Sequence, residues 1–160
     1  MNVCQIDSRE NKNQNIIDHF ESIGQKYIVS KMISGDYQDV NSVEVLIDLK
    51  QSHGDGIAEL CANLTKTNNH QRFRNELARA YEIGCKRFVV LIVSSKVDCV
   101  DDIHLWENKR GQVKPETLEK IVKTFIDKYG IEVVFCKKHE AGAKIVEILS
   151  YNTKDTQTPR

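Results

Sequence analysis

The run Phe88-Val89-Val90-Leu91-Ile92-Val93 constrains this chain most. It is apolar on both alternating faces, so it predicts a strand covered by other layers on each side. Covering layers are legible around it. Ile16, Ile17, Phe20 and Ile23 recur at helical spacing and stop at Gly24. Ile57, Leu60, Cys61 and Leu64 do the same within 55–66, and Phe73, Leu77, Ala80 and Tyr81 within 69–81. Pro115 opens a helix through Leu118, Val122 and Phe125 to Gly130, and 141–149 reads as a last helix. Strands are expected over 2–6, from Tyr27, over 35–40, over 43–49 and over 131–136. The order is β-α-β-β-β-α-α-β-α-β-α. It predicts an α/β fold: a mixed sheet flanked by helices, an antiparallel meander first and parallel crossovers after it. One domain is expected over 1–150, followed by a fraying polar tail over 151–160.

Twenty-three basic and 23 acidic residues give a formal net charge of zero, which as a total argues against a strongly basic nucleic-acid binder. The distribution says otherwise. Residues 1–65 carry 5 basic and 10 acidic side chains, whereas residues 66–96 carry 7 basic and 2 acidic. Trp106 lies in a polar stretch and is expected to fold back on the core. The five cysteines are scattered, and only Cys136 and His139 have a tight ligand spacing, so neither a disulfide framework nor zinc is expected. No apolar run is long enough to span a membrane and no leader peptide is legible, so a reducing cytoplasm is the expected setting. Glycine-rich phosphate loops and the Gly-x-Ser-x-Gly elbow are missing too, which removes support for nucleotide-cofactor or serine-hydrolase chemistry.

One constellation carries chemistry. Val43, Val45, Ile47 and Leu49 form the expected buried face of their strand, leaving Asp48 and Lys50 together on the other. If the preceding hairpin turns symmetrically about Ser42, Asp36 lies opposite Asp48, with Cβ atoms about 5 Å apart. Two carboxylates so placed repel unless solvated, protonated or bridged by a cation. An Asp pair beside a lysine at a sheet rim suits a hard divalent ion and phosphodiester hydrolysis. A solvated strand face with an ordinary Asp–Lys contact explains the same three residues.

The motifs in order are Ile6-Asp7-Ser8-Arg9-Glu10, Gly35-Asp36-Tyr37, Ile47-Asp48-Leu49-Lys50, a helix bearing Arg72, Arg74, Glu76 and Arg79, and the apolar strand at 88–93. This series resembles the nuclease domain of the XPF family of structure-selective endonucleases, in its small stand-alone form. The resemblance implies a restriction-endonuclease-like fold with a PD-(D/E)xK-type site and Mg²⁺ or Mn²⁺ as cofactor. It implies that Asp36, Asp48 and Asp7 are metal-side carboxylates and Lys50 the catalytic lysine. Arg9 and Glu10 would support the site or contact phosphate. The pattern departs from Glu-Arg-Lys at Asp48 and Leu49, and the trailing acid falls one position late, at Asp55.

On the basic segment, Arg72, Arg74, Arg79 and Lys66 are expected to track the nucleic-acid backbone, with Glu76 on the same helix aimed at the site. The bland reading is a solvated amphipathic helix. The expected activity is metal-dependent endonucleolytic cleavage of branched, flap or otherwise structured DNA, with a homodimer left open. Two rivals are a catalytically silent nucleic-acid-binding module and an oligomerisation protein on the same fold whose acidic and basic segments pair head to tail.

Overall fold

A computed structural model describes residues 1–109 and 111–155. Six strands, β1 (Val3–Asp7), β2 (Lys26–Ser30), β3 (Tyr37–Asp39), β4 (Ser42–Lys50), β5 (Arg87–Val93) and β6 (Glu132–Cys136), form one sheet ordered β2-β1-β3-β4-β5-β6. Among the described residues five α-helices flank it: α1 (Gln14–Ile23), α2 (Gly56–Thr65), α3 (Thr67–Glu82), α4 (Pro115–Tyr129) and α5 (Ala141–Asp155). The element order is the expected one, and β5 is buried along almost its whole length.

The expected antiparallel meander does not form. β1 and β2 pair in parallel, because α1 carries the chain back across the sheet before β2 begins. β3 then enters between β1 and β4, antiparallel to both. β4, β5 and β6 are parallel neighbours. β3 is therefore the only strand that runs against the other five, and β1 and β4 end at the same edge of the sheet. Connections depart in opposite directions from β1 and β4, and the crevice at such a switch point is where open α/β sheets bind ligands.

Two apolar layers hold the sheet. On one face, Ile16 and Phe20 of α1 and Ile145 and Leu149 of α5 pack on Ile6, Tyr37, Ile47 and Leu91. On the other, Leu60 of α2, Phe73 and Leu77 of α3 and Val122 of α4 pack on Leu46, Phe88, Val90 and Ile92. Trp106 joins this second layer and donates its indole N–H to Asp55 Oδ2 at 3.1 Å.

β4 differs from the sequence expectation in a way that matters. Both of its faces are buried from Val45 to Lys50, not one. Its neighbour β5 needs cover on both sides, and α2 and α3, which supply it, extend over β4 as well. Asp48 and Lys50 thus lie under helices instead of on a solvated face. The turn is not symmetric about Ser42 either. Asp39 pairs with Ser42, and a bulge then shifts the register so that Tyr37 pairs with Ile47. The bulge brings Tyr37 back to the register that a symmetric turn would have produced, with Asp36 just before β3 and its amide bonded to the Ile47 carbonyl.

α5 runs through the expected 150/151 boundary to Asp155, and the rest of the expected tail, 156–160, lies outside the described residues. Among the described residues no helix is long and apolar enough to cross a membrane.

Candidate active site

The catalytic candidates gather at the carboxyl ends of β1 and β4. Asp7 is the last residue of β1, Lys50 the last of β4, and Asp36 immediately precedes β3. Backbone bonds stitch the three strands at this level: Asp7 N donates to Asp36 O at 2.9 Å, and Asp36 N to Ile47 O at 2.8 Å. Ile6, Tyr37 and Ile47 face the α1–α5 layer, so alternation turns Asp7, Asp36 and Asp48 to the opposite face.

Asp48 and Lys50 are 4% and 7% exposed, which makes their pairing obligatory. Lys50 Nζ lies 2.9 Å from Asp48 Oδ2 and donates to Asn63 Oδ1 on α2 at 2.8 Å. Beyond this ion pair, Asp48 Oδ2 has no hydrogen-bond partner. The ammonium also sits 5.8 Å from the centroid of the Phe73 ring. Burial alone would lower the lysine's pKa; Asp48 first, then Glu59 and Asp36, reverse that and hold it above its ordinary value.

Further carboxylates surround this pair. Asp36 Oδ2 accepts the Leu49 amide at 2.8 Å, and burial together with Asp48 and Glu10 raises its pKa well above the usual range. Glu10 is pushed up to about 7 by burial and by Asp48 and Glu59. Glu76 of α3 is also pushed up to about 7, by burial and Asp48; its Oε1 accepts the Gly35 amide at 3.0 Å. Glu59 of α2 is raised by burial against the pull of Lys50, and its Oε1 accepts from Ser52 Oγ at 3.0 Å.

Asp7 is anchored differently. Its Oδ1 accepts from the Met32 amide at 2.8 Å and its Oδ2 from Arg9 Nε at 2.8 Å. Burial opposes ionisation there, but the Arg9 and Met32 bonds prevail and hold the pKa below its ordinary value.

Sequence reasoning placed Asp36, Asp48, Lys50, Glu10 and Glu76 at one locus, and the structure brings them together. It missed Glu59 and Asn63. Their signal was present: they are four apart on α2 and flank its apolar stripe of Ile57, Leu60, Cys61 and Leu64, on the side nearest the end of β4. Also missed was the reason for Gly56. A Cβ there would overlap the Lys50 carbonyl oxygen, so only glycine lets the start of α2 approach β4 this closely.

The basic residues divide. Arg72, Arg74, Arg79 and Lys66 are all exposed. Arg72 and Arg79 lie within about 60° of Glu76 around α3, whereas Arg74 is about 160° away. Lys66 lines a different opening, a cleft of about 870 Å³ between α2 and the segment around Trp106, which Lys96 and Glu59 also border.

The donor set fits a hard divalent cation. It consists of carboxylate oxygens, and among the described residues the buried side-chain atoms without a hydrogen-bond partner are Glu10 Oε2, Glu59 Oε2 and Asp48 Oδ2, the last in an ion pair with Lys50. Among the described residues no three His, Cys, Asp or Glu side chains already converge as a metal cage. A magnesium-like ion needs no such cage, since it binds through one or two carboxylates and keeps several waters.

The family model described as the ERCC4 domain matches residues 6–149. No curated protein matches the chain. Among solved structures, XPF from Aeropyrum pernix superposes with a TM-score of 0.68 at 16% identity, covering 97% of this chain and 68% of that one. The same protein in complex with DNA superposes with a TM-score of 0.67 at 16% identity, covering 99% of this chain and 68% of that one.

Proposed function

Because the chain belongs to the ERCC4 domain family and is a nuclease domain of the XPF kind, we propose that it is a divalent-metal-dependent endonuclease that hydrolyses phosphodiesters in branched, flap or otherwise structured DNA. The observation that carries this reading is the buried Asp48–Lys50 pair ringed by Asp36, Glu10, Glu59 and Glu76 at one sheet edge. A structural ion pair needs one acid for one lysine; four further carboxylates around this pair leave a surplus of negative charge that a bound cation would neutralise.

Asp36 and Asp48 would hold Mg²⁺ or Mn²⁺, which when bound polarises the phosphoryl oxygen and acidifies a coordinated water. Lys50 reaches the same position as a fixed cation and stabilises negative charge developing on the phosphate. Asp7 takes part through Arg9: with both oxygens engaged, it fixes a guanidinium at the rim where phosphate enters. Arg72 and Arg79 line the same rim from α3, and Lys66 offers a second contact along the cleft. DNA is the partner this surface suits, in line with the DNA complex formed by the Aeropyrum pernix relative.

The test is direct. Flap, branched and single-stranded DNA are incubated with the protein in Mg²⁺, Mn²⁺ or EDTA, and Mn²⁺ binding is followed by calorimetry. Asp36→Asn and Asp48→Asn should lose cleavage and Mn²⁺ binding together. Wild-type nicking in EDTA, or tight Mn²⁺ binding retained in both variants, would overturn the assignment.

A further inference from the structure

Between β2 and β3 the chain makes a short loop over the catalytic corner, and charged groups clamp it from two sides. From the β1 side, Asp7 Oδ1 accepts the Met32 amide at 2.8 Å and Arg9 Nη2 donates to the Met32 carbonyl at 3.0 Å. From α3, Arg79 Nε donates to the Ile33 carbonyl at 3.4 Å. Ser34 Oγ donates to the Glu76 carbonyl at 2.9 Å, and the Gly35 amide to Glu76 Oε1 at 3.0 Å. Met32 and Ser34 are buried, and Gly35 holds φ at 75° close against the Ile47 carbonyl and the Leu46 side chain.

The result is that Ile33, between two buried residues, is thrust outward with 61% of its surface exposed. Isolated exposed apolar side chains are common and need no explanation. Ile33 differs in its mounting. Five hydrogen bonds fix its loop, four of them made with residues assigned to the site (Asp7, Arg9 and Glu76), and it lies three positions before Asp36. Arg9 holds the Met32 carbonyl and Arg79 that of Ile33 itself, so an exposed hydrocarbon is carried on a loop held by two guanidiniums. Phosphates would satisfy the guanidiniums; the hydrocarbon matches only an apolar surface presented between phosphates. In a nucleic acid that surface is the face of a base, and it is open only where stacking is interrupted.

We propose that Ile33 is a specificity-determining residue that packs against an unstacked base next to the scissile phosphate, and so favours substrates with a junction, flap or nick over continuous duplex. This inference rests on the endonuclease reading above and adds the substrate feature that the site selects.

The experiment uses flap DNA with 2-aminopurine at the junction step, read by fluorescence on binding in Ca²⁺ and by cleavage in Mg²⁺. Wild type should raise the fluorescence. Ile33→Ser should abolish the rise while affinity stays within about threefold, because phosphate contacts dominate affinity. Its preference for flap over linear duplex in cleavage should fall on the order of tenfold. Ile33→Leu, which keeps the apolar bulk, should restore both. The melting temperature of each variant is the folding control, and Ile33→Ser should leave it near wild type because the side chain is exposed.

A fluorescence rise that survives Ile33→Ser overturns the inference, and so does a wild type that cuts the flap without any rise; in both cases the endonuclease reading stands. Wild-type protein that neither binds nor cuts overturns that reading and this inference together. Self-association that disappears in Ile33→Ser while the fluorescence rise persists would make Ile33 a contact between copies of the chain.

Discussion

Lys50 Nζ stands 2.9 Å from Asp48 Oδ2, and both groups are buried. The lysine is therefore the internal counter-ion of the carboxylate ring. Removing one partner of a buried ion pair typically costs about 3–5 kcal/mol, because the other charge is left uncompensated. Lys50→Ala should melt at a lower temperature than wild type in EDTA and recover much of the loss in Mg²⁺. Cleavage should be lost under both conditions. Scanning calorimetry with and without Mg²⁺ checks this; a variant equally stable in EDTA would show that Lys50 does not neutralise the ring.

Asn63 should act on Lys50 alone. Its Oδ1 accepts from the ammonium at 2.8 Å, and it lies outside the carboxylate set. Asn63→Leu removes that acceptor while keeping comparable bulk. The cleavage rate at saturating DNA should fall on the order of tenfold, the scale of one charge-assisted hydrogen bond, with DNA affinity unchanged. A rise in KM without a change in kcat would mean that Asn63 contacts substrate instead.

How much of this was legible in the sequence depends on the range of the interaction. The helices announced themselves by local signals, such as Gly24 and Gly130 in the left-handed conformation at the ends of α1 and α4. The closeness of Asp36 and Asp48 follows in the sequence from an idealised hairpin; in the structure the hairpin carries a bulge, and the two carboxylates still interact. Strand neighbours were not legible. Nothing local tells β3 to insert beside β1, because that choice is settled by which faces α1 and α5 can cover. The burial of Asp48 and Lys50 was hidden for the same reason, although the apolar run of β5 implied that its neighbours also lie inside. Glu59 and Asn63 were missed because polar residues beside an apolar helical stripe ordinarily face water.

Gly56 is the most sensitive backbone position in the site. Gly56→Ala puts a methyl group into the Lys50 carbonyl, so either α2 retreats or the end of β4 shifts. Steric overpacking of this kind costs about 1–3 kcal/mol. Because α2 carries both Glu59 and Asn63, cleavage should fall by more than the stability loss explains. Gly54→Ala is the control: no atom lies within 4 Å of a Cβ there, and although its φ of 72° is strained for alanine, cleavage should change little. Denaturant titration and initial rates on the two variants make the comparison.

The arginines of α3 should not be equivalent. Arg72 and Arg79 share the Glu76 side of the helix, and Arg74 lies across it. If DNA enters over Glu76, Arg72→Ala should weaken binding and lower the slope of log K against log[salt] by about 1, the amount for one phosphate contact. Arg79→Ala should do the same and also loosen the loop at Ile33, whose carbonyl it holds. Arg74→Ala should leave affinity and slope near wild type. Equal losses for all three would mean that the helix contributes only diffuse charge.

The carboxylate ring also fixes how stability responds to pH. Glu10 and Glu76 move from 4.5 to about 7 on folding, and Asp36 and Glu59 rise as well. Between about pH 4.5 and about pH 7 the folded protein therefore retains protons that the unfolded chain has released. Stability should fall as pH rises through this window. Asp7 works with the opposite sign, but its pKa is lowered, so its contribution is lost only on acidification below the ordinary aspartate range. The groups are close enough to titrate together, so the slope belongs to the ring, and Glu10→Gln or Glu76→Gln should each remove only part of it. Bound Mg²⁺ should flatten the profile by compensating the ionised forms. Denaturation midpoints in EDTA and in Mg²⁺, from about pH 5 to about pH 8, measure this; a metal-free protein that gains stability across the window would contradict the electrostatics of the site.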